Sequence, residues 1–169
     1  VSRDRIATGC RASSARRQAG KRSLRVVFMP RIVLVAFSSE TDRARGERAA
    51  LRLLQALVDI NVDYLLHNPT TPLLYQSGVR YQEQAYDVGQ EDWHEIPAAL
   101  LAKKTDCKVL AAWRCAELRV RGVAAVPYLL RQSTPVREAV GIPDFGYHVV
   151  VQWPDGRIED PSKILGMKS

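Results

Sequence analysis

No run of about 18 consecutive apolar residues occurs in this 169-residue chain, so no segment reads as a membrane-spanning helix. The longest apolar stretch, around Val26–Phe37, is interrupted by Pro30 and Arg31, and no secretory h-region is present. Cysteine is scarce. Cys10, Cys107 and Cys115 form neither an even set nor a Cys-x-x-Cys pair, which argues against a disulfide framework and a cysteine-rich zinc site. A glycine-rich phosphate loop, a His-Glu-x-x-His pair and an internal repeat are also missing, so no cofactor and no metal are expected. A reducing, cytoplasmic setting is the default expectation.

What is present in excess is positive charge, and its position decides its meaning. Residues 1–28 carry eight basic side chains and one acidic, an excess that equals the whole formal charge of +7 and leaves the remaining chain balanced. That segment is rich in Arg, Ser, Ala and Gly and shows no period of two or 3.6 residues, which reads as a disordered arm. Its two readings are a tail that binds nucleic acid weakly and a solvated extension translated from upstream of a start at Met29; the second is favoured. Residues 29–169 are expected to form one domain.

Along that domain, "RIVLVAF" at residues 31–37 is β-branched and reads as a strand. Ser39 to Asp42 offers capping chemistry for a helix to about Leu66, with Ala50, Leu53, Leu54, Leu57, Val58 and Val62 at helical spacing. From His67 to Pro97 the periodicity lapses into an irregular connection, with a short strand at Val79–Gln82 and Tyr75, Tyr81 and Trp93 as apolar anchors. Loops of that length often line a site. "IPAALLA" then reads as a short helix ending before Lys103.

Thr105 or Asp106 suits an N-cap and Gly122 a helix stop, so residues 107–121 are predicted to form one helix with Cys107 in its first turn. The helix dipole and unpaired backbone N–H groups there favour a thiolate near neutral pH. Cys115, deeper among Ala111, Ala112 and Leu118, has no such help. A buried, inert cysteine is the competing reading of Cys107, because free cysteine is among the most buried residue types.

"YHVVVQWPDGRIEDPS", residues 147–162, supplies a partner. With Pro154 and Asp155 in a type I turn and Gly156 as the left-handed bulge residue, Trp153 pairs with Arg157. Asp160 then opposes Val150, and His148 lies two residues along on the same face, within diagonal reach. Glu159 faces the other way. A histidine held by a carboxylate is poised to take a proton from a thiol and return it to a leaving amine.

These residues resemble the transglutaminase-like superfamily, papain-like cysteine enzymes with the order Cys, His, Asp. "DCKVLAAWRCAELRVRGVAAVPYLL" is similar to the nucleophile helix and following strand, and "YHVVVQWPDGRIEDPSKILGM" to the His and Asp strands. The similarity extends upstream through "HNPTTPLLYQSGVRY" to "EDWHEIP", covering most of residues 65–167, and resembles small single-domain members among phage and prophage proteins. Lys103-Lys104-Thr105, where glycine is usual, and Lys108-Val109, where acidic residues often follow, depart from the pattern.

The resemblance implies an α+β papain-like fold, a nucleophile helix packed on a small antiparallel sheet. It implies Cys107 as nucleophile, His148 as base and acid, Asp160 as orienter, and an oxyanion hole formed by the Cys107 backbone N–H and the Trp93 indole. The implied chemistry is thiol-dependent hydrolysis or transfer at a peptide or other protein carboxamide. The alternative is a virion or assembly protein that binds phage structural proteins through the fold and carries a vestigial triad, in which case the location is virion-associated. No membrane partner is implied.

Overall fold

Helix α1, Glu40–His67, presents Leu54, Leu57, Val58 and Asn61 as one buried stripe, the i, i+3, i+4, i+7 spacing of a helix face. The structure, a computed structural model, describes residues 40–83, 92–132 and 146–168. The basic arm expected at residues 1–28 and the strand expected at residues 31–37 lie outside them. Leu53 and Val62 pack beside the stripe as anticipated. Asn61 is its polar member, and its Oδ1 accepts the backbone N–H of Ile96 at 3.1 Å, satisfying one of the donors that a helix start leaves unpaired.

In the described part of the connection after α1, the short strand falls where the sequence placed it and a 3-10 turn precedes it. The turn covers Leu74–Gln76, and strand β1, Arg80–Tyr81, pairs in parallel with β2, Lys104–Thr105. Of the expected apolar anchors, Trp93 is buried and Tyr81 is partly so, whereas Tyr75 lies at the surface. Helix α2, Ile96–Ala102, has Pro97 in its first turn and ends at Lys103, whose φ of 59° makes it the one non-glycine residue with positive φ among the described residues.

Helix α3, Cys107–Val120, is buried on nearly every side, with Val109, Leu110, Trp113, Cys115 and Leu118 in the core. Asp106 is its N-cap, and Gly122, at φ +81°, follows its end. Arg119 ties that end to its neighbours: Nη1 reaches Asp59 at 3.1 Å, Nη2 reaches Gln55 at 2.8 Å and Nε donates to the carbonyl of Ala125 at 3.0 Å.

Strands β3, Val126–Gln132, β4, Gly146–Gln152, and β5, Ile158–Glu159, form an antiparallel sheet in that spatial order. Val149 and Val151 face the core that α3 and α1 complete, while His148 and Val150 point to the opposite side of the sheet by the strand alternation. A four-residue helix α4, Pro161–Ile164, follows β5 directly. The fold is therefore α+β, with a central helix against a small antiparallel sheet and a two-residue parallel ladder at its side. Among the described residues no helix is long and apolar enough to cross a membrane.

Candidate active site

The β4–β5 hairpin has the predicted register. Val151 opposes Glu159 and Gln152 opposes Ile158; the Trp153 N–H donates to the Arg157 carbonyl at 2.8 Å and the Gly156 N–H to the Trp153 carbonyl at 2.9 Å. Gly156 has φ +84°, the conformation that a bulge residue after a type I turn requires. Continuing the register sets Asp160 opposite Val150, on the face of His148. The two side chains meet: His148 Nε2 lies 2.9 Å from Asp160 Oδ2. With Nε2 engaged by a carboxylate, Nδ1 is the ring nitrogen left to face a proton donor.

Asp160 has a second task that sequence reading did not assign. Its Oδ1 accepts the backbone N–H groups of Ser162 at 3.1 Å and Lys163 at 3.2 Å, capping α4. Asp-Pro-Ser is a helix-start pattern, with proline in the first turn, so the signal was available. One carboxylate thus anchors a helix with one oxygen and the imidazole with the other.

Cys107 reaches β4 at the residue next to His148. Because β5 pairs only with Val151 and Gln152, it stops short of Val149, and the backbone N–H of Val149 is directed at the Cys107 thiol. The N–H of Cys107 itself also faces the sulfur. The side chain is half-buried, whereas Cys115 is wholly enclosed.

Enclosure works against the thiolate that the helix dipole favours. Burial, then the Asp106 carboxylate, push Cys107 from 9.0 up to about 11, against the opposing pull of the Val149 N–H and Lys108. The cost of enclosing a charged sulfur outweighs both the helix N-terminus and the two N–H donors. Burial pushes Cys115 further, to about 12.

The residues flanking the cysteine explain part of this. Asp106 and Lys108 are both buried and pair through Oδ2 and Nζ, while Asp106 Oδ1 accepts the Val109 N–H at 3.4 Å. Lys108 Nζ also lies 5.8 Å from the centroid of the Trp93 ring, so the indole sits beside the first turn of α3. His94, passed over in the sequence although it adjoins Trp93, places Nε2 at 2.9 Å from Thr105 Oγ1. Burial lowers the basicity of its ring despite the nearby Asp106. It anchors the strand that leads into Cys107.

Compared with family models, curated proteins and solved structures, the chain matches none. The chemical reading therefore rests on geometry. Two contacts are present: the half-buried thiol at the start of α3 meets the backbone N–H of Val149, the residue after His148, and the His148 imidazole meets the Asp160 carboxylate. Among the described residues no group of three or more His, Cys, Asp or Glu side chains gathers as a metal site.

Proposed function

We propose that this chain is a thiol-dependent acyl-transfer enzyme of the transglutaminase-like, papain-like kind, acting on a peptide or other carboxamide. The observation that carries the reading is the His148–Asp160 contact of 2.9 Å, on a strand whose next backbone N–H is directed at Cys107. Attack forms a bond from Cys107 sulfur to the amide carbonyl carbon while the thiol proton passes to His148 Nδ1. Asp160 stabilises the imidazolium. Collapse of the tetrahedral intermediate breaks the C–N bond, and His148 returns the proton to the departing amine. Water then attacks the thioester, His148 takes its proton, and the acid leaves as the thiol is restored.

The raised affinity of Cys107 for its proton suits proton transfer concerted with attack rather than a standing ion pair. The backbone N–H of Cys107 would stabilise the oxyanion, with the Trp93 indole as second donor. Hydrolysis is favoured over transfer because nothing in the sequence marks a site for a competing amine.

The same raised thiol favours a second reading, a virion or assembly scaffold with an idle triad. An acyl-type electrophilic probe separates the two. The enzyme reading expects labelling of Cys107 that His148→Ala abolishes; labelling equal in both proteins, or absent from both, favours the scaffold.

A further inference from the structure

Glu159 and Asp160 are neighbours, yet their carboxylates leave β5 in opposite directions. Asp160 goes to His148, and Glu159 goes to α3. Its Oε1 accepts from Arg114 Nε at 2.6 Å and from the Tyr75 hydroxyl, and its Oε2 accepts the Trp153 indole N–H at 2.9 Å. Arg114 extends the connection, with Nη1 at 3.1 Å from Glu117 Oε2, while the other Glu117 oxygen takes the backbone N–H of Leu74. The guanidinium also lies over the Tyr75 ring, 5.2 Å from its centroid. This set joins the 3-10 turn, α3 and both strands of the hairpin.

A strand of two residues, paired only through Val151 and Gln152, is weakly held by its own ladder. The Arg114–Glu159 pair supplies the missing restraint: both side chains are only 14% exposed, so the charge-assisted bond is poorly screened and the planar fork fixes direction as well as distance. Arg114 belongs to the helix that begins at Cys107, and Glu159 immediately precedes Asp160. A displacement of β5 along α3 would carry Asp160 off His148 and leave the imidazole without its orienting partner.

We propose that Arg114 and Glu159, braced by Tyr75 and Trp153, form a positioning clamp that holds the hairpin on α3 and keeps Asp160 on His148 beside Cys107. This rests on the reading of Cys107, His148 and Asp160 as an acyl-transfer site. Burial alone would raise the Glu159 carboxyl, but Arg114 and the hydroxyl and indole donors outweigh it and lower it. The clamp is therefore charged at neutral pH. Glu117 differs: burial dominates there and raises it despite the Leu74 N–H and Arg114.

The test uses the full chain with Glu159→Gln and Arg114→Lys, read by the Nε2–H proton resonance of His148 and by the pH profile of Cys107 alkylation with iodoacetamide. Both variants should keep the far-UV circular dichroism of the parent, shift or broaden the His148 resonance, and slow alkylation by up to about 100-fold, the order seen when a remote positioning contact is loosened. Should either fail to fold, Tyr75→Phe removes one hydroxyl from a surface ring and carries the same test. An unchanged resonance in folded variants overturns the clamp, whatever alkylation does. A shifted resonance with slowed alkylation supports the clamp, and a shifted resonance with unchanged alkylation overturns its role beside the thiol. If His148→Ala also leaves alkylation unchanged, the acyl-transfer reading fails separately.

Discussion

His148 Nε2 and Asp160 Oδ2 lie 2.9 Å apart, and the carboxylate that makes this contact caps α4 with its other oxygen. Orientation of the imidazole and the start of a helix are thus one structural feature. The turn Pro154-Asp155-Gly156 determines the strand register that makes it possible.

Asp160→Asn should separate the two roles. Asparagine caps a helix about as well as aspartate, so thermal stability should stay within about 1 kcal/mol of the parent. Its amide can accept at the cap while turning its NH2 toward His148, which forces the opposite tautomer. Probe labelling of Cys107 should fall sharply. Asp160→Ala should lose both functions, with about 1 kcal/mol from the cap alone. Equal melting temperatures for the Asn and Ala variants would show that the cap contributes nothing.

The two thiols should be distinguishable by exposure and by pH. Peptide mapping after brief alkylation should find Cys107 modified well before Cys115, which is fully buried. Both folded values are raised above 9.0, to about 11 and about 12. Their contribution to stability is therefore complete below pH 9 and lost as pH climbs through those values. Melting temperature should fall over that alkaline window, and Cys115→Ala should flatten part of the fall. Early modification of Cys115 would place the reactive thiol elsewhere.

Asn61→Ala should destabilise the fold by about 1–3 kcal/mol, because the backbone N–H of Ile96 would lose its acceptor in a buried position. Chemical denaturation measures this directly. A change near zero would mean that another acceptor replaces Oδ1.

Gly156→Ala tests the turn. A Cβ at this position meets nothing within 4 Å, so its cost is conformational, roughly 1–2 kcal/mol for φ +84°. The variant should lower the melting temperature and weaken Cys107 labelling together, since hairpin register sets the face of Asp160. Lower stability with unaltered labelling would show that the register survives without the left-handed residue.

Much of the site's scaffold was legible because its signals are local. Asp106 before an apolar run and Gly122 after it bound α3, which spans Cys107–Val120. Pro154-Asp155-Gly156 determines the hairpin, and period-two alternation then sets His148 and Asp160 on one face and Glu159 on the other. The helical stripe of α1 was equally local, apart from Asn61, a polar residue whose burial depends on Ile96, 35 positions away.

Non-local environment was not legible. Helix position alone favours a thiolate at residue 107, but enclosure of the thiol, added to its neighbour Asp106, opposes that tendency, and the enclosure comes from elements distant in the chain. The partners of Glu159 come from residues 75, 114 and 153, and no spacing rule brings Tyr75 and Arg114 to an edge strand. His94 beside Thr105 is of the same kind. By itself the sequence determined the helix limits, the turn and the face of each strand residue, because backbone sterics and capping act within a few positions. Tertiary structure alone decided burial, ionisation and which distant side chains meet, because these depend on the summed field and packing of elements far apart in the chain.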